Sequence, residues 1–391
     1  VPDPRRILLI RPSALGDVCR SVPLLASLRR AFPDATIDWL VQDSFADAVR
    51  HHPALDAAIP FPRAELGRSG RRADLRPTLA WMNRALRPRP RYDLVIDAQG
   101  LFRSGLFAWW TGARARVGYR NAEEMGRLFL NRAARIDRSR HAVDRMLALL
   151  PLAGVDPVPD MRLHAASDEL AWVDRQPWAS PSARARSVSD GRIGNGFVGR
   201  PVADAPGACC TPGPLARPAP FAVLAPTSRW PGKQWPAERF AELARRLLGA
   251  GVPHLVIVGG PAERSQIAPL LAWGAHEPRV IDLVGETSIA RLLAIIARSS
   301  LVVANDSAAL HMAVGFDRPL VALFGPTRVG LVGPYRRDPD VIQHTRPGDR
   351  FDHKNAETGR AMMERITVEE VVAACLTRLH PPASVDPRAE D

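Results

Sequence analysis

The chain has 391 residues, 46% of them hydrophobic, with 53 Lys+Arg against 41 Asp+Glu and a net charge of +12. An ordinary apolar fraction with modest charge for the length excludes a disordered chain, and at roughly 100 to 200 residues per domain the length fits two domains, each with its own core. No apolar run reaches the ~18 residues of a membrane-spanning helix. The stretch from Val1 to Arg11 has no signal-peptide core, and Cys19, Cys209, Cys210 and Cys375 show neither metal spacing nor a disulfide framework, so a cytoplasmic location is expected.

Arg6 to Ile10 reads as a strand that ends in the loop Arg11-Pro12-Ser13-Ala14-Leu15-Gly16-Asp17. An amphipathic helix from Val18 to Phe32 follows, with Pro23 tolerated near its first turn. The loop is neither a P-loop nor a GxGxxG fingerprint, which removes the main support for a P-loop nucleotidase or a dinucleotide oxidoreductase. Asp17, at the mouth of an interdomain cleft, is placed to be a general base or simply a helix cap. Thr36 to Val41 and Asp93 to Asp97 are further strands, the latter leading into a Gln99-Gly100 turn flanked by Arg103 and Arg120. Residues 1–150 hold 26 arginines, no lysine and 15 acidic residues, a net +11, so this half attracts anions. Arg63, Arg68, Arg71, Arg72 and Arg76 cluster in a connection with little secondary-structure signal.

The segment from Gln176 to Pro220 is rich in Pro, Gly, Ala, Ser and Arg and has no apolar periodicity, so it reads as a mobile, dispensable insertion beside a linker. The strand-helix rhythm then restarts at Phe221 to Leu224 and continues through His254 to Val258, Leu301 to Ala304 and Leu320 to Phe324, ending in a helix near Thr367 to Leu379. Such alternation predicts parallel sheets covered on both faces. After the first of these strands come Thr227, Ser228 and Lys233, where open α/β sheets bind ligands. Lys233 is one of only two lysines, the other being Lys354. After Leu301 to Ala304 come Asn305 and Asp306. The small residues Ser307, Ala308 and Ala309 then open a helix whose N-terminal N–H groups can receive a diphosphate, with His311 on the same face. N-capping and a solvent-facing lysine are the plainer alternatives for these residues.

Taken together, RRILLIRPSALGDVCRSVPLL, YDLVIDAQGLFRSGL, RLFLNRAARIDRSRHAVDR, TSRWPGKQWP, VVANDSAALHMAVGFDRPLVALFGPT and GLVGPY resemble glycosyltransferase family 9, the ADP-heptose:lipopolysaccharide heptosyltransferases. Within it, the branch that adds the first heptose to Kdo-lipid A is the more similar. The resemblance implies an α/β GT-B fold of two doubly wound Rossmann-like domains facing across a cleft: an acceptor domain over 1–175, the insertion and linker over 176–220, and a nucleotide-sugar domain over 221–391. It implies inverting, metal-independent transfer from ADP-heptose with no cofactor. Asp17 matches the family's base, Thr227, Ser228 and Lys233 match donor contacts, and Asp306, Ser307, Ala308, Ala309 and His311 match a second donor cluster. The acceptor, Kdo-lipid A or a similar acidic glycolipid, is expected on Ser13, Gly16, Arg63, Gln99, Arg103 and Arg120. A monomer docked peripherally on the anionic inner-membrane face, with no nucleic-acid partner, completes the expectation. Alternatives are a GT-B enzyme using another nucleotide sugar, a sugar-nucleotide epimerase, and a basic RNA-binding protein, although no RNA-reading motif is apparent.

Overall fold

The computed structural model describes residues 3–71, 74–88, 90–179 and 221–380. In the first half, β1 (Arg6–Ile10), β2 (Thr36–Gln42), β3 (Ala57–Phe61), β4 (Leu94–Asp97), β5 (Ala115–Tyr119) and β6 (Arg132–Ala134) form a parallel sheet in the order β3-β2-β1-β4-β5-β6. In the second, β7 (Phe221–Ala225), β8 (His254–Ile257), β9 (Val280–Asp282), β10 (Leu301–Asn305), β11 (Leu320–Leu323) and β12 (Val341–Ile342) form a parallel sheet in the order β12-β11-β10-β7-β8-β9. Counted within its own half, each sheet has the doubly wound order, with the chain reversing direction between β1 and β4 and between β7 and β10. Loops at the C-terminal ends of those strands diverge and leave a crevice, the usual ligand position of such sheets.

Helices cover both sheets. The first half has α1 (Leu15–Arg20), α2 (Val22–Ala31), α3 (Arg63–Arg71), α4 (Arg76–Leu86), α5 (Phe102–Trp110), α6 (Ala142–Leu147) and α7 (Ser167–Asp174). The second has α8 (Ala237–Gly249), α9 (Ala268–Gly274), α10 (Ile289–Arg298), α11 (Ala308–Gly315), α12 (Val329–Val332), α13 (Ala356–Met363) and α14 (Val368–Leu379). Among the described residues no helix is long and apolar enough to cross a membrane.

The single helix expected from Val18 to Phe32 is two. It starts earlier, at Leu15, and breaks at Ser21, because Pro23 has no N–H to give and its ring opposes the carbonyl of Cys19; the proline instead opens α2. The arginine cluster is also more ordered than its composition suggests, since Arg63 begins α3 and Arg76 begins α4, and arginine is a good helix former. The side chains of Arg68 and Arg71, and Arg72 altogether, lie outside the described residues, as does the insertion from 180 to 220. Its expected first residues, however, are folded: Trp178 is buried with its ring 4.9 Å from that of Phe221. The segment before it touches both halves, and the ring of His164 lies 4.7 Å from that of His52 in the first. Leu163 N–H donates to Gly315 O (2.9 Å), Glu169 and Asp174 pair with Arg291 (2.9 Å) and Arg298 (2.7 Å) of α10, and Arg291 stacks 4.1 Å from the Trp172 ring centre.

Strand alternation divides the core. Leu8 and Ile10 face Phe61, Trp81 and Phe107, whereas Ile7 and Leu9 belong to a buried cluster that continues through Val18, Leu163 and Val173 to Leu310 and Phe324 in the second half. The halves therefore share apolar contact, and α1 lies on α11. Gly16 makes this approach possible: a Cβ there would stand 2.9 Å from Cδ2 of His311. Overpacking of this kind costs about 1 to 3 kcal/mol, so Gly16→Ala is expected to lower the unfolding free energy by that amount. Adding His311→Ala, which empties the space, is expected to recover part of it. Urea unfolding of the parent, both single variants and the double variant checks this. Strictly additive losses would mean that the halves do not press together there.

Candidate active site at the junction of the two sheets

From the first half, the loop after β1 presents Asp17 in the first turn of α1. Its carboxylate accepts from Ala14 N–H (3.3 Å), pairs with Arg11 (2.9 Å) from the end of β1, and pairs again with Arg20 one turn along the same helix. Enclosure opposes its ionisation, but the guanidinium groups of Arg11 and Arg20 outweigh this and hold the carboxyl well below the usual carboxylate range. Arg20 also donates to Val332 O (3.0 Å), His141 Nε2 lies 3.1 Å from Gly333 O, and Tyr335 donates to Asp144 (2.7 Å). The GLVGPY segment of the second half is thus clasped by α1 and α6.

Beside it, the turn after β4 is built on Asp97, which is fully buried. It accepts from the N–H groups of Gln99 (3.0 Å) and Gly100 (3.1 Å) and from the Ser104 hydroxyl (2.9 Å). Gln99 in turn accepts weakly from Ser13 N–H (3.4 Å), and Arg11 donates to Ala98 O (2.6 Å), so the two switch-point loops of the first sheet brace each other.

From the second half, buried Asn305 at the end of β10 accepts from Trp235 N–H (3.2 Å) and donates to Pro226 O (2.5 Å), closing the loops after β7 and β10 onto each other. Lys233 lies in the turn before Trp235, and its ammonium pairs with Asp306 at 2.6 Å, both side chains largely buried. A carboxylate repels a diphosphate, so Asp306 can serve an anionic donor only by holding Lys233 or by accepting from sugar hydroxyls. Thr227 gives its proton to Glu263 (2.7 Å) and Ser228 gives its own to Asp306 O (3.3 Å), so both hydroxyls position the loops in this structure. Ser307 is the N-cap residue of α11 but its side chain makes no capping bond, which leaves the helix N–H groups beside Ala308 and Ala309 without a side-chain acceptor.

His311 joins the halves. It is buried against Gly16, its Nδ1 has no hydrogen-bond partner, and burial first, then the charge of Arg20, keep the imidazole neutral. Gly16, expected on the acceptor side, and His311, expected on the donor side, are in fact each other's neighbours. Arg63, Arg103 and Arg120 stay at the periphery: Arg63 donates weakly to Gln42 (3.4 Å), Arg103 lies 5.8 Å from the Phe61 ring centre, and the Arg120 side chain is exposed. Sequence reasoning missed Arg11, Arg20, Glu263 and the Asp97 anchor. The i, i+3 spacing of Asp17 and Arg20 was the one available signal for the first pair. Among the described residues no group of three His, Cys, Asp or Glu side chains could hold a metal ion.

Asp97 generates a pH prediction. Burial, against the donors from Gly100, Ser104 and Gln99, pushes its carboxyl up to about 6. An unfolded aspartate titrates near about 4, so between the two values the native state binds the extra proton and stability falls as pH rises. Asn at this position can accept from both N–H groups and donate to Ser104 without ionising. Asp97→Asn is therefore expected to match the parent below about pH 4 and exceed it by roughly 3 kcal/mol above pH 6. Urea unfolding across that range checks the sign; a variant less stable at pH 7 than at pH 4, relative to the parent, would reverse it.

Comparison with known proteins bears on this arrangement. The family model described as glycosyltransferase family 9 (heptosyltransferase) matches residues 81–359. Lipopolysaccharide heptosyltransferase 1 of Pseudomonas aeruginosa is 30% identical over 342 residues, covering 85% of this chain and 82% of that protein. Lipopolysaccharide heptosyltransferase 2 of Salmonella typhimurium is 28% identical over 347 residues, covering 86% and 88%. Among solved structures, an E. coli heptosyltransferase with ADP superposes with a TM-score of 0.65 at 23% identity over 92% of this chain and 99% of that one. The E. coli ADP-heptose lps heptosyltransferase II gives 0.67 at 23% over 96% and 98%. With two doubly wound sheets meeting at their switch points and a family match through most of the chain, this protein is a glycosyltransferase and belongs to glycosyltransferase family 9, the heptosyltransferases.

Proposed function

We propose that the chain transfers heptose from ADP-heptose to a lipopolysaccharide inner-core acceptor such as Kdo-lipid A, with inversion and without a metal, at the junction of the two halves. The observation that carries this reading is the packing of Gly16 against His311, which sets the turn of α1 that carries Asp17 against the helix whose start follows the Lys233–Asp306 pair. The names of its relatives supply the sugar and the lipopolysaccharide acceptor.

In this reading the loops after β7 and β10 hold the donor. Lys233 and the free N–H groups at the start of α11 stabilise the negative charge that grows on the departing ADP, the charge-stabilising work for which other enzymes use a cation. Asp306 fixes the ammonium. Asp17 takes the proton of the acceptor hydroxyl as that oxygen attacks the anomeric carbon from the face opposite the ADP. Arg11 and Arg20 keep Asp17 in its accepting, ionised form throughout the neutral range but also weaken its pull on a proton. An acidic acceptor that draws either arginine to its own carboxylate or phosphate restores that pull. The halves divide as acceptor side and donor side, with Ser13 and Gln99 lining the former and Arg63, Arg103 and Arg120 guiding the acidic acceptor and an anionic membrane face towards it.

The direct experiment incubates purified protein with ADP-heptose and a Kdo-bearing lipid A acceptor and follows heptosylated product by mass spectrometry. Release of an epimerised sugar nucleotide without product, or tight RNA binding without turnover, would replace the reading. Asp17→Asn keeps the shape and removes the accepting charge, so turnover is expected to fall at least ~100-fold with donor affinity nearly unchanged. Parent-like turnover would reduce Asp17 to a helix cap. Lys233→Ala is expected to weaken ADP binding by about 1.5 to 3 kcal/mol in calorimetry, and unchanged affinity would leave the lysine as a structural partner of Asp306.

A further inference from the structure

Besides Leu75 and Leu79 at the start of α4, large apolar side chains are left in water beside the first-half loops. Met125 is 66% exposed, Leu128 58%, Trp109 49% and Phe102 45%. They are one patch. Phe102 and Trp109 stand seven residues apart on one face of α5, and their rings lie 5.1 and 6.5 Å from that of Phe129 in the 3-10 segment Glu123–Phe129 that also carries Met125 and Leu128. The patch is rigid. Gly105 and Gly126 bring the backbones of α5 and this segment together so closely that a Cβ on Gly105 would stand 2.5 Å from Gly126 O, and Arg116 Nε donates to Phe129 O (2.8 Å). Its position is fixed too, because Glu123 N–H donates to Gly100 O (2.9 Å) in the turn anchored by Asp97.

The charge around the patch is mostly positive, with Glu123 and Glu124 beside Met125 as the acidic exceptions and Glu123 3.8 Å from Arg138. Residues 101–140 contain nine arginines against three acidic residues, and Arg103, Arg120 and Arg127 are all exposed. Exposed aromatic and aliphatic side chains rimmed by arginines match the boundary of an anionic bilayer, where acyl chains meet acidic headgroups. A second copy of the chain fits poorly, since a two-fold contact would set two arginine-rich rims against each other. Single-stranded nucleic acid fits poorly as well, because the two most exposed members, Met125 and Leu128, have no π face for a base to stack on.

We infer that the α5 and Glu123–Phe129 patch is the surface by which this protein seats itself on an anionic lipid bilayer, with Phe102, Trp109, Met125 and Leu128 entering the interface and the surrounding arginines on the headgroups. The inference rests on the proposed acceptor being a membrane glycolipid, and it places the β4 and β5 loops at the lipid surface. The arginines of the 63–76 segment are not required for it.

The test is sedimentation of the full chain, without substrates, with vesicles of phosphatidylethanolamine and phosphatidylglycerol (roughly 3:1) at physiological salt. Met125→Gln with Leu128→Gln is expected to reduce the vesicle-bound to free ratio at least ~10-fold with the melting temperature unchanged. Trp109→Gln, a second and independent variant, is expected to act in the same direction. Unchanged partition in both variants overturns the inference. So does parent self-association that the double variant abolishes, or a single-stranded oligonucleotide displacing the vesicles. Transfer to a deacylated, water-soluble acceptor in lipid-free buffer is measured alongside and is expected to be the same in parent and variants. Its absence in the parent would count against the proposed function while leaving the vesicle result standing.

Discussion

The imidazole of His311 against the bare backbone of Gly16 is the contact on which the site depends. A doubly wound sheet opens its crevice at one edge only, so two such sheets can share a site only if those edges face each other and the helices that start there come close. Gly16 lets α1 reach α11, and the ties from Arg20, His141 and Tyr335 to the loop at 332–335 hold that approach from the side. Within the resulting junction the turn that carries Asp17 and the helix that follows the Lys233–Asp306 pair are neighbours.

The charges of both facing loops are paired within the protein. Asp17 lies between Arg11 and Arg20, and Lys233 is on Asp306. Removing one partner of a largely buried pair such as Lys233–Asp306 leaves an uncompensated charge and costs several kcal/mol, so a ligand that separates such a pair has to bring replacement charge. A diphosphate can take over the positive side and an acidic sugar the arginines. This explains how arginine and lysine come to do different work in a chain with two lysines. The planar arginines brace loops through several carbonyls and carboxylates at once, and the one buried ammonium is a compact charge held at a single point.

Much of this was legible in the sequence. The apolar runs at Arg6 to Ile10, Phe221 to Leu224 and Leu301 to Ala304 marked the central strands because a parallel sheet buried on both faces needs them. The loops after them located Asp17, Lys233 and Asp306. The edge strands β3, β6, β9 and β12 and the interior β5 left no such signal, since exposed residues such as Ala57 and Arg132, and Arg116 within β5, break any apolar run. The break at Ser21 was hidden because Pro23 was read against the wrong helix start. What sequence could not supply was pairing across the junction: that Gly16 meets His311, that Thr227 gives its hydroxyl proton to Glu263, and that residues 163–179 bridge the two halves are long-range facts. The exposed patch on α5 escaped for a related reason, since Phe102 and Trp109 have ordinary helical spacing and only the fold shows that nothing covers them.

The position of the nucleotide tests the division into donor and acceptor halves most directly. A crystal structure of the full chain with ADP is predicted to place the diphosphate at the start of α11, within hydrogen-bond reach of the Lys233 ammonium and of the N–H groups near Ala308. The adenosine would lie over the loops after β7 and β8. A diphosphate seated instead on Arg11 and Arg20 at the edge of the first sheet would contradict it, exchanging the donor and acceptor sides and leaving Asp17 without its role as base.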